Sequence, residues 1–235
     1  SIEVGLLSRI RACQLVEEYN LNEGSRVLDI GCGKGDWLKV FDELGVEDIL
    51  GVDGAWVRPS DLKIATHQFQ KADLSKLLEV NKKYDLVLCL EVAEHLPESS
   101  AETFVSTLAS LGDTIIFSAA IPNQGGQNHL NEQWASYWVE KFKLHGFLSY
   151  DIIRSIIWED DRIHYWYRQN MFVLSKEKLR PSEIQPTSLV HPQLLRNKAK
   201  IIGNYQTGGM GVRTSLVILF RAIGLFFRRL FNLSD

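Results

Sequence analysis

A short apolar segment followed by three regularly spaced glycines constrains the fold more than any other feature of this sequence. Residues 26–30 are mostly apolar, and Gly31, Gly33 and Gly35 follow at every second position. Glycine lets the backbone turn tightly and lets a ligand approach without a Cβ in its way. A strand that runs through such a turn into a helix is typical of nucleotide-handling α/β proteins.

Further apolar segments alternate with helix-like segments along the first 175 residues. We predict strands at 26–30, 48–53, 68–71, 84–90, 114–120, 147–153 and 170–175, and helices at 6–19, 36–44 and 99–111. Segments that are apolar throughout indicate strands buried on both faces, as in a parallel sheet covered by helices. The sequence therefore predicts the α/β class, with a doubly wound, mostly parallel seven-stranded sheet of Rossmann-like form.

The chain changes character after Lys176, where prolines and then glycines become frequent. We therefore predict one domain over residues 1–176 and a C-terminal helical extension over 177–235.

The three cysteines, at positions 13, 32 and 89, are far apart, and two lie in strand-like segments. This spacing predicts reduced, buried thiols. The N-terminal residues lack the pattern of a secretory signal, so we expect a cytoplasmic protein.

Acidic residues around the glycine turn favour a cationic cofactor over a dinucleotide. The dinucleotide fingerprint needs a third glycine at the position that Asp36 occupies. A pyrophosphate binds amide donors at a helix start, and a facing carboxylate would repel it. Asp29 and Asp36 instead suit S-adenosylmethionine (SAM), which carries a sulfonium and an ammonium group. A dehydrogenase is therefore disfavoured.

Two later acids also stand at the ends of predicted strands, where ligands bind in open α/β sheets. Asp53 could accept hydrogen bonds from both ribose hydroxyls, and Asp73 could accept one from an adenine amino group. Together, segments 27–35, 51–53, 71–74 and 84–96 resemble the ordered motifs of class I SAM-dependent methyltransferases, and the resemblance covers about residues 20–175. The expected cofactor-binding residues are Asp29, Gly31, Gly33, Asp53, Asp73, Leu74 and Leu90.

Three potential metal ligands follow the fourth predicted strand: Glu91, Glu94 and His95. Two carboxylates and an imidazole suit Mg²⁺ or Mn²⁺. This Glu-x-x-Glu-His pattern is similar to small-RNA 2′-O-methyltransferases and to ubiquinone-biosynthesis O-methyltransferases. In the first family a later histidine completes the site, and His129 occupies a comparable place. The alternative is a site without metal, in which the Glu-His pair packs near the cofactor and His129 or His95 acts as the catalytic base.

The acceptor class is inferred from the polar loop after the fifth predicted strand. Residues 122–129 are rich in amides and glycines, which suits a polyhydroxylated ligand because each amide both donates and accepts. Segments 128–142 and 158–172 also look like bacterial methyltransferases of glycan or secondary-metabolite pathways. Trp134, Tyr137 and Trp138 could stack on a sugar or belong to the core.

We therefore expect O-methylation of a sugar or another hydroxylated small molecule. The alternatives are an RNA 2′-O-methyltransferase and a SAM-binding subunit without catalysis. The formal net charge of −3 does not favour a nucleic acid partner, and four candidate metal or base residues argue against an inert subunit.

The final segment, residues 212–231, has large apolar residues at helical spacing with arginines on another face. This pattern predicts a basic amphipathic helix that contacts an anionic membrane surface peripherally. The alternative is a helix that packs on the domain or on a partner.

Overall fold

The computed structural model describes residue 22 and the ranges 24–78, 82–179, 188–207 and 209–230. The predicted helix over 6–19, and Cys13 within it, lie outside these residues. Cys32 and Cys89 are buried free thiols, as predicted.

Seven strands form one sheet in the order β3-β2-β1-β4-β5-β7-β6. They are β1 (Arg26–Ile30), β2 (Asp48–Asp53), β3 (Phe69–Lys71), β4 (Leu86–Leu90), β5 (Thr114–Ser118), β6 (Leu148–Tyr150) and β7 (Phe172–Ser175). All paired neighbours are parallel except that β7 runs antiparallel to both β5 and β6. The predicted doubly wound, mostly parallel seven-stranded sheet is thereby confirmed.

The described residues also form seven α-helices. They are α1 (Asp36–Glu43), α2 (Ala101–Leu111), α3 (Ala135–Lys143), α4 (Arg154–Ile157), α5 (Tyr165–Asn170), α6 (Pro192–Thr207) and α7 (Val212–Leu230). Helices α3, α4, α5 and α6 were not predicted; in α6 the proline at the helix start suggested a linker. Proline is well accommodated in the first turn of a helix, where its missing N–H would have no intrahelical partner.

Each face of the sheet carries its own apolar layer. On one face, Trp138 and Phe142 of α3 pack against Phe117 of β5, with ring centroids 5.4 Å apart in both pairs. Trp138 is 1% exposed, so it belongs to the core and not to an acceptor site. On the other face, Phe41 of α1 is fully buried. This packing fixes the strand ends that build the site.

The chain divides into two compact units, residues 1–189 and 190–235, so the division lies later than the predicted boundary after residue 176. The segment after β7 is held to the first unit by hydrogen bonds. The N–H of Lys176 donates to the Asp113 carbonyl at 3.0 Å, and the N–H of Leu179 donates to the Tyr150 hydroxyl at 3.0 Å.

The second unit contains α6 and α7. No single helix among the described residues is both long and apolar enough to cross a membrane. Only α6 and α7 taken together, with an 80° bend between them, satisfy that test of length and composition.

Candidate active site

The glycine turn after β1 has backbone conformations that require glycine. Gly31, Gly33 and Gly35 have φ angles of +80°, +54° and +81°, a region that other residues enter at a cost. The carboxylate of Asp53, at the end of β2, accepts the Gly33 N–H at 2.7 Å and the Gly54 N–H at 2.6 Å. Asp53 therefore ties the turn to the neighbouring strand end.

A cavity of about 970 Å³ opens beside this turn, at the carboxyl ends of β1, β2 and β4. It is lined by Gly31, Asp53, Gly54, Ala55, Trp56, Lys71, Ala72, Asp73, Leu74, Glu91, Val92, His95, Leu96, Gln127 and Asn128. A cavity of this size, mostly apolar with a few polar groups, is typical of a small-molecule or cofactor site.

Four of the seven predicted cofactor-binding residues line this cavity: Gly31, Asp53, Asp73 and Leu74. The other three, Asp29, Gly33 and Leu90, are not among its lining residues. The Gly33 N–H instead donates to Asp53. Asp29 and Leu90 are buried near the ends of β1 and β4.

The two other predicted acids, Asp29 and Asp73, differ sharply in their surroundings. Burial, then the charge of Asp53 and then that of Asp36, raise the pKa of Asp29 to about 8. Asp73 is exposed and accepts hydrogen bonds from the hydroxyl and the N–H of Ser75 at 2.6 and 3.1 Å. These bonds and nearby Lys76 lower the pKa of Asp73.

Glu94, His95 and His129 come together next to this cavity. One potential ligand atom from each lies within 4.8 Å of the others, and the two imidazole rings are 4.9 Å apart between centroids. Glu94 is fully buried, and neither of its carboxylate oxygens has a hydrogen-bond partner within the described part of the chain. Burial, followed by the charge of Glu91, raises the pKa of Glu94 to about 9.

Both imidazoles of this cluster are anchored through Nδ1. His129 Nδ1 donates to the Glu132 carboxylate at 2.8 Å, and His95 Nδ1 donates to the Asn128 carbonyl at 3.4 Å. Each ring therefore keeps Nε2 for a proton or a metal ion. A Cβ added at Gly126 would lie 2.1 Å from His129 Nε2, so the glycine leaves room at this nitrogen.

Glu91 was predicted as a fourth ligand, but the structure engages its carboxylate elsewhere. The Asn170 side-chain amide donates to both carboxylate oxygens at 3.1 and 3.3 Å, and Gln124 donates to one of them at 3.3 Å. Glu91 has a φ of +55°, and its N–H donates to the hydroxyl and the carbonyl oxygen of Ser118, both at 3.0 Å. The compact ligand cluster thus contains three of the four predicted residues.

Three features of the site were not predicted from the sequence. Glu132 lies three residues after His129, a spacing that could have indicated the contact. Asn170 reaches Glu91 from 79 positions away, and no local pattern connects the two. Trp56 is 76% exposed on the cavity wall, and its exposure could be seen only in the structure.

The comparisons with known proteins agree with this architecture. Residues 8–159 match the family described as a methyltransferase domain. A ubiquinone biosynthesis O-methyltransferase from Methylococcus capsulatus is 30% identical over 114 residues, which is 45% of this chain and 47% of that protein. The chain thus spans about half the length of the curated relatives it matches.

Two solved structures share the fold. The magnesium protoporphyrin IX methyltransferase from Synechocystis PCC 6803 with bound SAH has a TM-score of 0.54 and 21% identity over 75% of this chain and 84% of that chain. An amino pentose methyltransferase from Micromonospora echinaspora, with SAM bound, has a TM-score of 0.52 and 14% identity over 72% of this chain and 92% of that chain. This chain therefore belongs to the methyltransferase domain family and has the class I fold of SAM-dependent methyltransferases.

Proposed function

We propose that this protein transfers the methyl group of SAM to a hydroxyl oxygen of a sugar or another hydroxylated small molecule, with Mg²⁺ or Mn²⁺ held by Glu94, His95 and His129. The observation that carries this proposal is the buried carboxylate of Glu94, which lies beside two imidazoles and has no hydrogen-bond partner among the residues that the structure describes. The cluster adjoins a cavity whose wall includes strand-end acids.

The residues present fit a divalent ion. A buried polar group without a partner costs free energy, and a bound cation would remove that cost. The set of one carboxylate and two imidazoles can hold Mn²⁺, and it suits Mg²⁺ less well because Mg²⁺ prefers oxygen ligands. When bound, the ion supplies positive charge that orients the acceptor oxygen and lowers the pKa of its hydroxyl group. We place Glu91 outside the ion's direct ligands, since Asn170 and Gln124 occupy its carboxylate.

His129 and Glu132 provide the means to handle the hydroxyl proton. In the displacement, the acceptor oxygen bonds to the methyl carbon as the carbon–sulfur bond breaks, and the hydroxyl proton must leave. Without an ion, His129 Nε2 takes this proton as a general base, while the Glu132 carboxylate holds the ring and stabilises the imidazolium. His95 is the second candidate for this role.

The acceptor class is supported by the polar side of the cavity. Gln127 and Asn128 line it, and side-chain amides can both donate to and accept from a polyhydroxylated ligand. The names of curated relatives such as ubiquinone biosynthesis O-methyltransferase support transfer to oxygen. SAM itself is supported by its presence in structural relatives.

Metal dependence can be tested by thermal unfolding in EDTA and in excess Mn²⁺. An ion at a hundredfold excess over its Kd adds about 2.7 kcal/mol of stability, or about 5–10 °C in Tm for a domain of this size. We expect this shift in the wild type and in Glu98→Gln, an exposed site nearby, but not in Glu94→Gln. Equal shifts in both variants would contradict the site.

Activity is measured separately, as mass shifts of sugars and phenols incubated with SAM. We expect methylated product that disappears in EDTA and returns with Mn²⁺ or Mg²⁺. Full activity in EDTA would eliminate the ion and leave His129 or His95 as the base. Tight SAM binding with no product from any acceptor would favour the non-catalytic subunit.

A further inference from the structure

Charge is distributed very unevenly between the two units of the chain. Residues 184–234 contain seven lysines and arginines and no aspartate or glutamate, although the whole chain has 29 acidic and 26 basic residues. The basic residues are Arg196, Lys198, Lys200, Arg213, Arg221, Arg228 and Arg229. The C-terminal unit is therefore strongly cationic in an otherwise acidic protein, and its natural partner is an anionic surface.

Helix α7 exposes large apolar side chains in addition to this charge. Leu216, Leu219, Ile223 and Phe227 lie three or four residues apart, which places them along one side of the helix. They are 46%, 53%, 42% and 49% exposed. Exposed apolar stripes of this extent mark interaction sites on proteins or membranes.

The arginines of α7 lie away from this apolar stripe. Arg213, Arg221 and Arg228 are seven or eight positions apart, so they fall close together on the helix circumference. Three apolar residues, Val217, Ile218 and Leu225, also lie on that half of the helix. A helix with a large apolar side and basic residues opposite can lie in the plane of a membrane interface.

Helix α6 adds to the same surface chemistry. It contributes three of the basic residues, and Leu195, Ile202 and Tyr205 are exposed on it. Both helices of this unit thus combine cationic groups with exposed apolar side chains.

We infer that residues 190–230 form a docking unit for an anionic lipid bilayer, on which α7 lies with its apolar stripe in the acyl–headgroup boundary and its arginines near lipid phosphates. Lipid headgroups satisfy both features, because they offer negative charge beside an apolar layer. Pairing of α7 with a second copy would place two helices with four arginines each side by side, which like-charge repulsion disfavours. A spanning orientation is disfavoured by Arg221 in the middle of the helix and by its composition. This inference does not depend on the proposed methyl transfer.

The first experiment tests whether membrane binding depends on the position of the positive charges or only on the net charge of the protein. Full-length protein is sedimented with vesicles of phosphatidylcholine containing 30% phosphatidylserine. One variant carries Arg213→Gln, Arg221→Gln and Arg228→Gln. The matched control carries Arg58→Gln, Lys83→Gln and Arg162→Gln, three exposed sites on the first unit. Both variants lose three positive charges.

We expect the α7 variant to lose roughly a hundredfold in partition coefficient, since each basic residue near an anionic surface contributes about fivefold. The control variant should bind like the wild type. Binding should weaken in high salt and on vesicles of phosphatidylcholine alone. Failure of the wild type to bind anionic vesicles, or equal losses in both variants, would overturn the inference.

The second experiment tests which side of α7 enters the lipid. Ile223→Asn with Phe227→Asn changes the apolar stripe, whereas Val217→Asn with Leu225→Asn changes the opposite side by a similar loss of apolar character. The first pair should lower binding on the order of tenfold or more per residue, and the second pair should lower it much less. Equal losses would contradict an interfacial orientation.

Light scattering of each variant without lipid tests whether a second copy of the chain, and not lipid, covers the apolar stripe. A stable dimer that the Ile223→Asn and Phe227→Asn pair dissociates would assign the stripe to a second copy and overturn the lipid assignment. A monomer that binds vesicles supports it. Unchanged thermal unfolding of the methyltransferase domain in all variants shows that binding losses are local.

Discussion

Gly31→Ala provides a quantitative test of how tightly the cofactor turn is packed. Gly31 has a φ of +80°, and a Cβ added there would lie 2.2 Å from Val92 Cγ2, 3.1 Å from Cγ1 and 3.3 Å from Cβ. Carbon atoms in contact prefer about 3.5–4.0 Å. Rotation of the valine side chain can move Cγ2 away but leaves Cβ 3.3 Å from the new methyl group, so the contact stays tighter than carbon atoms prefer.

Gly33→Ala is the matched control for the backbone contribution. Gly33 also has a positive φ, +54°, but nothing lies within 4 Å of an added Cβ. The left-handed conformation alone costs a non-glycine residue about 1–2 kcal/mol, and overpacking a tight site costs about 1–3 kcal/mol. We therefore expect Gly31→Ala to lose about 2–5 kcal/mol and Gly33→Ala about 1–2 kcal/mol.

Urea unfolding of both variants without SAM measures these losses as changes in the free energy of unfolding. The difference between the two isolates the contact with Val92. Equal destabilisation would refute the argument, because the steric contribution would then be absent. A calorimetric titration with SAM should also show weaker binding to Gly31→Ala, since Gly31 and Val92 both line the cavity.

Three further substitutions test the acids of the site. Asp53→Asn should weaken SAM binding about tenfold or more, because a charged hydrogen bond is lost. Asp48→Asn, at the half-buried start of the same strand, should leave SAM binding unchanged. An unchanged calorimetric affinity in Asp53→Asn would show that Asp53 does not bind the ribose. The free energy of unfolding of Asp29→Asn, measured relative to wild type, should rise with pH between pH 4 and 8 by about 1.4 kcal/mol for each pH unit. The folded chain keeps a proton up to a pKa of about 8 that the unfolded chain releases near the ordinary 3.8; urea unfolding at pH 5 and 7.5 checks this, and a pH-independent difference would disprove it. Glu132→Gln should lower kcat about 10–100-fold with little change in KM, because His129 loses its charged anchor; an unchanged kcat would remove Glu132 from the mechanism.

Local sequence patterns determined the architecture of the domain. Apolar segments of strand length, separated by helical segments, predicted all seven strands to within a few residues. Among the parallel strands β1 to β5, the predicted and observed starts differ most in β4, which begins at Leu86 and not at Tyr84 as predicted. Tyr84 forms only an isolated bridge with Gly112. The signal was strongest for β4, whose five residues are all buried, because burial on both faces of a parallel sheet demands apolar residues at every position.

The cofactor side of the site was also largely determined by sequence. A glycine turn and strand-end acids are local features, and the parallel sheet brings the carboxyl ends of its strands to one edge. Gly31, Asp53, Asp73 and Leu74, four of the seven residues predicted to bind the cofactor, therefore line the cavity. The sequence could not distinguish residues that line the cavity from those beneath it, such as Asp29, because depth depends on packing around the whole sheet.

Only the tertiary structure decided which of the four candidate metal ligands lie together in one cluster and which one does not. Glu91 and Glu94 are only three residues apart, yet Glu91 accepts hydrogen bonds from Asn170 and Gln124, whereas Glu94 lies with His95 and His129. Sequence spacing places both carboxylates near the end of β4. The positive φ at Glu91 and amides brought in from distant parts of the chain then give the two carboxylates different partners, and such long-range contacts leave no local pattern to read.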